Sequence, residues 1–216
     1  MTAKKSPAKK PAAAKKAPAK KPAAKKSAAK KSAAKNVLIL LGSPREDGNS
    51  TRLAFAFADA ACAAGHRVQS IRVPALDFAP CDVCEQCRPS AKAPCILSDD
   101  LLSVYPMLRE ADVLVFATPL HFHCWSSPLK MLIDRLYCLS PYRKFNLVGK
   151  SSLLLGTSAD ARPVAFSGLR ASYRLTAEFM QWKNLGELLV GGLGPEGAID
   201  GNPAALAKAA KLAAKI

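Results

Sequence analysis

The sequence predicts an α/β protein: a doubly wound, five-stranded parallel sheet preceded by a disordered tail. Three observations predict it. Short apolar runs of strand length recur five times, separated by stretches with helical periodicity. The first of them, Val37 to Leu41, is apolar throughout, as a strand covered on both faces must be. Residues 1–35 carry 13 lysines with no acid and no aromatic, and so have no face to bury.

The charge belongs to that tail. The chain has 32 Lys and Arg against 16 Asp and Glu, a net +16; without the 13 tail lysines the balance is 19 against 16, about +3. The tail, residues 1–35, repeats a loose Lys-Lys-Pro/Ser-Ala-Ala unit like the tails of linker histones. Its spaced lysines suit weak, salt-sensitive contact with nucleic acid or another polyanion, and a solubilising tail without a partner is the alternative. Residues 36–216 are long enough for one domain with its own core. No apolar run approaches a membrane span, and no signal-peptide h-region precedes the body. Cytoplasmic localisation is the expectation.

The body reads in order as follows. Strand one covers 37–41. A helix starts near Ser50 or Thr51, either of which is a candidate N-cap, and ends at Gly65. Strand two covers 67–73, and a long loop follows over 74–97. Asp99 and Asp100 open a second helix, where acids suit the dipole, and it runs to Glu110. Strand three covers 112–118, a polar and aromatic loop 119–125, and a third helix 126–139. Strand four covers 151–155 and ends at Gly156-Thr157-Ser158. The fourth helix covers 166–182, strand five 187–190 with its flanks, and the last helix 202–215.

In such a sheet ligands sit beyond the carboxyl ends of the strands, at the topological switch point. The loops near 43–51, 119–125 and 156–161 share that edge and have unusual polar, glycine or aromatic content. The first passes from a buried strand through Gly42-Ser43-Pro44-Arg45 and Gly48-Asn49-Ser50-Thr51 into a helix N-terminus. Backbone N–H groups, small hydroxyls and the helix dipole converge there, an arrangement that favours a phosphate, with Arg45 adding a charge-assisted contact. Neither a Walker A nor a GxGxxG pattern is present. An ordinary strand-to-helix turn remains the alternative.

All seven cysteines lie in the body, an odd number, with four in 15 positions: Cys81, Cys84, Cys87 and Cys95. This is no disulfide framework and points to a metal or redox role in a reducing compartment. Cys62 and Cys138 read as packing residues.

Three stretches together resemble the flavodoxin-like NADPH-dependent FMN reductases, and in particular their iron–sulfur flavoprotein branch. They are GSPREDGNSTRL at 42–53, Cys81-x2-Cys84-x2-Cys87-x7-Cys95 with the following Ile96-Leu97-Ser98-Asp99-Asp100, and TPLHFHCWSSPLKMLIDR at 118–135. The resemblance implies a flavodoxin-like fold and FMN as cofactor. Carried over by residue, Ser43, Arg45, Asn49, Ser50 and Thr51 would bind the FMN phosphate. Pro119, Leu120, His121 and Phe122 would line the isoalloxazine ring, with Cys124 and Trp125 nearby, and Gly156 and Thr157 would close the other side. The family usually has Tyr or Trp where His121 and Phe122 stand. For His123, packing or a simple hydrogen bond is the expected role, and Trp125 reads equally as flavin wall or core residue. Lys130, Asp134 and Arg135 read as structural ion pairs or a subunit interface. NAD(P)H as electron donor and a homo-oligomeric state are inherited wholly from the resemblance.

Three thiols in one compact loop, with Cys95 returning as a fourth, match the runs that hold a [4Fe–4S] cluster. Zinc more often uses two separated Cys-x2-Cys knuckles. Metal-free thiols and a regulatory disulfide are the other readings. The function expected is that of an FMN-dependent oxidoreductase, moving electrons from NAD(P)H or a reduced carrier to a quinone, flavin or redox partner. It needs no protein nucleophile, because the cofactor carries the chemistry. The rivals are an electron-transfer iron–sulfur flavoprotein without a small-molecule substrate, and a nucleic-acid-associated binding protein of the same fold.

Overall fold

The computed structural model describes residues 33–88 and 91–216. The basic tail expected over 1–35 lies outside them apart from its last three residues. Five strands form one sheet in the order β2-β1-β3-β4-β5. They are β1 (Asn36–Leu41), β2 (Arg67–Arg72), β3 (Val113–Pro119), β4 (Ser151–Thr157) and β5 (Lys183–Val190), and every pairing is parallel. The helices are α1 (Asn49–Ala63), α2 (Leu101–Glu110), α3 (Ser127–Arg135), α4 (Ser167–Phe179) and α5 (Pro203–Leu212). The expected doubly wound architecture is the one found.

Side chains of the central strands alternate between two cores. Leu38, Leu40, Leu114, Phe116 and Leu154 face α2, α3 and α4. Val37, Ile39, Leu41, Val113, Val115, Leu153 and Leu155 face α1 and α5. Both faces are covered, which is why these strands read as unbroken apolar runs. Burying each such side chain is worth about 1.5–3 kcal/mol. An aromatic group anchors the first core. The Phe116 ring lies 5.7 Å from both Trp125 and Trp182. Trp125 donates to Ser172 Oγ at 2.9 Å and Trp182 to the Leu147 carbonyl at 2.9 Å, so neither indole N–H is stranded. Trp125 is 3% exposed and belongs to this core; it is no cleft wall.

Several boundaries differ from expectation for local reasons. Helix α1 begins at Asn49, with Gly48 as N-cap and no side-chain cap, so Ser50 and Thr51 sit inside the first turn instead of capping it. Helix α2 begins at Leu101. Asp99 and Asp100 serve as loop anchors: Asp99 accepts from the Leu101 amide at 3.2 Å, and Asp100 from the Asp77 amide at 2.8 Å. Helix α3 ends at Arg135 and tightens into a 3-10 turn over Leu136–Leu139. Helix α4 stops at Phe179, and Gln181, at φ 56°, turns the chain back. Strand β5 starts at Lys183, four residues before the expected 187. Gly186, at φ 134°, absorbs an irregularity opposite Ser152 to Leu154.

Candidate functional site

The sheet order reverses between β1 and β3, which pair directly from Val37↔Val113 to Leu41↔Ala117. The crevice rule puts a ligand there. A cleft of about 250 Å³ opens at this point, lined by loop residues after β1, β3, β4 and β5. Of the residues expected to bind a cofactor, Ser43, Arg45, Asn49, Ser50, Pro119, Leu120, His121 and Thr157 line it. Thr51, Phe122 and Gly156 do not. Thr51 is buried in the first turn of α1. Phe122 is fully exposed at its loop tip. Gly156 lies inside β4, where a Cβ would come within 2.6 Å of Leu189, so its smallness serves packing.

The floor of the cleft is a helix N-terminus. The amides of Asn49, Ser50 and Thr51 have no carbonyl a turn behind them, and they donate to no acceptor among the described residues. Ser50 is 1% exposed, and its Oγ has no partner either. Two other serine hydroxyls are buried without partners, Ser126 and Ser140, and neither lines the cleft. A buried hydroxyl left unpaired costs about 1–3 kcal/mol. Ser43 Oγ accepts from the Arg45 amide at 3.2 Å, which folds the loop over the helix end. A Cβ at Gly48 would sit 2.3 Å from Ser43 Oγ and 3.3 Å from the Arg45 carbonyl, so any larger residue would have to turn the Ser43 hydroxyl away and press on the loop. Free amides, an orphaned hydroxyl and a positive helix end form an anion cradle, and a cofactor phosphate fits it.

Asn49 lines the cleft, but its side chain is committed elsewhere. Its Nδ2 donates to the carbonyls of Leu193 and Pro195 at 3.4 and 2.8 Å, and its Oδ1 accepts from the Ile199 amide at 3.0 Å. It fastens the β5–α5 loop against α1 and leaves its backbone amide for the cradle. That loop, through Leu193 and Gly194, is a wall the sequence reading missed. Its signal was present in Gly191-Gly192-Leu193-Gly194. A Cβ at Gly191 would strike the Asp160 carbonyl at 2.5 Å, so a fourth post-strand loop could have been expected at the same edge.

The loop after β3 is a tight turn. The His121 amide donates to the Cys124 carbonyl at 3.1 Å, and the Cys124 amide to the His121 carbonyl at 2.9 Å. Both central residues have left-handed φ, Phe122 at 45° and His123 at 64°. This geometry favours Asn-Gly, and side chains of this size pay a conformational penalty in it. His123 Nδ1 lies 3.0 Å from the Ala165 carbonyl, which ties the turn to the segment before α4 and matches its expected bonding role. At the rim, the Arg162 guanidinium binds Asp160 and holds its carboxyl down to about 2.

The second candidate site is the cysteine loop. Cys81, Cys84, Cys87 and Cys95 line one cavity, together with Cys138 and Arg135. Cys138 was expected only to pack; it is buried, but it packs as a fifth thiol of this cavity. Cys62, also expected to pack, is exposed on α1. Left-handed φ at Val83 (51°) and Glu85 (55°) flanks Cys84, the kind of backbone alternation that gathers N–H groups around anionic sulfur sites. None of the amides of 81–88 donates to an acceptor among the described residues. Among the described residues, no three His, Cys, Asp or Glu groups converge closely enough for a single metal ion. Four cysteine thiols lining one cavity are a donor set that could hold an iron–sulfur cluster.

Side chains from α3 and beyond hold this loop. Arg135, 1% exposed, pairs with Asp99 at 2.6 Å and donates to the Ala79 carbonyl at 2.7 Å and to Tyr105 Oη at 2.9 Å. Burial pushes the Asp99 carboxyl up, but the Arg135 hydrogen bond and charge outweigh it and hold it below the ordinary value. Arg143 pairs with Glu85 at 2.9 Å and lies 4.5 Å from the Tyr137 ring centre. Burial raises Cys87, opposed by the Arg143 charge, and drives Cys138 up to about 12. Lys130 and Asp134 form an exposed pair at 2.7 Å on α3. The expectation of structural ion pairs for this motif is met by both.

A five-stranded parallel sheet with an anion cradle at its switch point defines a flavodoxin-like protein. Residues 35–188 match the family described as NADPH-dependent FMN reductase, and the chain belongs to it. An iron–sulfur flavoprotein of Methanocaldococcus jannaschii is 33% identical over 99 residues, 46% of this chain and 50% of that protein. The match thus spans half the length of that relative. The iron–sulfur flavoprotein of Methanosarcina thermophila is 27% identical over 164 residues, 76% of this chain and 81% of that protein. Among solved structures, an NAD(P)H:quinone oxidoreductase from Methanothermobacter marburgensis superposes with a TM-score of 0.67 at 19% identity, covering 84% of this chain and 95% of that one. The Trp repressor binding protein from Bacillus subtilis gives 0.61 at 23% identity, covering 82% and 99%. These two likenesses concern the fold.

Proposed function

We propose that the chain is an FMN-dependent oxidoreductase that moves electrons from NAD(P)H or a reduced carrier to a quinone, a flavin or a redox partner. The observation that carries this reading is the orphaned Ser50 hydroxyl beside the free amides of α1, at the switch point of the sheet. The FMN phosphate would be held by Ser43, Arg45, Ser50 and the backbone amides of Asn49, Ser50 and Thr51. Pro119, Leu120 and His121 on one side, and Thr157 with Leu193 on the other, would orient the ring and exclude water from it. FMN when bound supplies two-electron and one-electron chemistry, and no protein nucleophile is needed. Phe122 and Gly156, outside the cleft of a single chain, act differently: Gly156 by packing, Phe122 at the mouth.

The four cysteines Cys81, Cys84, Cys87 and Cys95 would hold a [4Fe–4S] cluster. The names of the relatives, and the compact Cys-x2-Cys-x2-Cys run with Cys95 on the same cavity, support this over zinc. The chain would work as a homo-oligomer. In support, Leu175 and Phe179 of α4 are exposed, and Tyr142 packs on Phe179 with ring centres 6.3 Å apart, which leaves an apolar face for a second copy. The tail would add weak polyanion binding, and the protein would be cytoplasmic. An electron-transfer role without a small-molecule substrate is the second reading, favoured by the cysteine cavity.

The test is a spectrum and an iron assay on protein purified without oxygen, followed by FMN titration and NADPH oxidation. Bound flavin with NADPH consumption is the expected result. Flavin and about four irons per chain, without NADPH or NADH consumption, would select the electron-transfer reading. Failure to bind FMN would overturn both.

A further inference from the structure

Both arginines at the cysteine loop are incompletely bonded. Arg135 uses its two terminal nitrogens on Asp99, the Ala79 carbonyl and Tyr105. Arg143 uses a terminal nitrogen on Glu85. The Nε of each is buried and has no acceptor among the described residues. The side chains are 1% and 12% exposed, so bulk water does not readily serve these donors. Buried N–H donors without partners are costly, and two at one place suggest an acceptor. The acceptors at hand are sulfurs. Arg135 lines the cavity of Cys81, Cys84, Cys87 and Cys95, and Arg143 is held against it by Glu85 and the Tyr137 ring, both of which line the same cavity.

We propose that Arg135 and Arg143 are positioning residues that donate through Nε to the sulfurs of the cluster held in this cavity and raise its reduction potential. The proposal rests on the reading of the four cysteines given above. The bracing bonds orient each guanidinium: Asp99 and Tyr105 fix one, Glu85 and the Tyr137 ring the other. A thiolate-ligated cluster is anionic and becomes more so on reduction. Cations and N–H donors beside its sulfurs therefore favour the reduced form.

The experiment is an EPR-monitored redox titration of the anaerobically purified full chain, with iron counted on the same samples. Wild type is compared with Arg143→Gln, Arg143→Lys and Arg135→Lys. In Arg143→Gln the ratio of reduced to oxidised cluster at fixed poise should fall about tenfold, a drop of about 59 mV for one electron. Arg143→Lys, which keeps the charge, should fall less. Arg135→Lys should fall in the same sense where circular dichroism shows it folded, and Arg143, whose pair is more open, carries the test if it is not. Wild type holding iron, with potentials unchanged in both Arg143 variants, overturns the proposal and leaves the cluster standing. Lower iron content at an unchanged potential shows mere bracing and also overturns it. Wild type without iron removes the cluster reading itself, and this proposal with it.

Discussion

The cradle loop before α1, residues 43–51, and the cysteine loop, residues 78–97, are built by different means. The first is made by backbone. A strand end, a glycine packed close against Ser43 Oγ, and three free amides at a helix start define it. Its side chains tie it outward at two places: Asn49 to the β5–α5 loop, and Glu46 to Arg72 of β2, whose guanidinium also donates to the Pro44 carbonyl. Among the described residues the second has no helix or strand between the 3-10 turn at Val73–Ala75 and α2. It is held from outside, by Arg135 and Asp99 at one end and by Arg143 and Glu85 at the other. A backbone site keeps its shape while its side chains vary. A braced site depends on a few buried charges, and each can be removed singly.

The largest expected effect follows from that dependence. Arg135→Met leaves Asp99, the Ala79 carbonyl and Tyr105 without their shared donor. Removing one partner of a buried pair costs about 3–5 kcal/mol, read as a lower urea midpoint. A loss under about 1 kcal/mol, the range of a surface pair, would mean that the loop stands without its brace and the contrast fails.

Gly48→Ala attacks the other loop. Its Cβ would meet Ser43 Oγ at 2.3 Å and the Arg45 carbonyl at 3.3 Å, and the carbonyl cannot turn away as a side chain can. FMN affinity should fall about 10–100-fold, or about 1.4–2.8 kcal/mol, measured by quenching of flavin fluorescence. Ser50→Ala should fall less, since the amides remain. Unchanged affinity in Gly48→Ala would show that the cradle is not closed by Ser43.

The two loops also differed in what the sequence disclosed. The strand, the glycine and the helix start of the first are contiguous, so one stretch of sequence contains the whole device. What failed there was fine placement, because Gly48 caps without a side chain while Ser50 and Thr51 looked like caps. In the second, the cysteine spacing was plain but the support was not. Arg135 meets Asp99 across 36 residues, and no local pattern encodes such a pairing. Cys138 joined the cavity for the same reason, a contact made only by the tertiary fold. The Phe122–His123 turn was illegible because its left-handed backbone usually announces itself as Asn-Gly. The start of β5 was harder to place because Asn184 and Gly186, poor strand formers, sit where the pairing with β4 is irregular.

Acid should separate the loops next. Asp99 titrates below its ordinary value, so its pairing stabilises the fold fully above the unfolded value of about 3.9. The unfolded chain takes up protons first as pH falls, and the stabilisation is lost as pH drops through the lower folded value. Asp99→Asn should be less stable than wild type at neutral pH, and the difference should shrink toward about pH 3. Urea midpoints along that range check it. The paired carboxylates of the 43–51 loop, Glu46 and Asp47, are exposed where Asp99 is largely buried, so an equal narrowing in Ser43→Ala would break the distinction.

The smallest effect concerns Val83, a β-branched residue at φ 51° and largely exposed, in the bend before Cys84. A left-handed backbone costs an L-residue about 1–2 kcal/mol, whereas glycine adopts it freely and gives back about 0.5–1 kcal/mol through the flexibility of the unfolded chain. Val83→Gly should therefore gain about 0.5–1 kcal/mol, because little buried surface is lost. A gain means that the braces impose the bend and valine resists it, as a loop held from outside requires. A loss of similar size would mean that the valine side chain itself helps to shape the cysteine loop, and the loop would then resemble the cradle loop in carrying its own geometry.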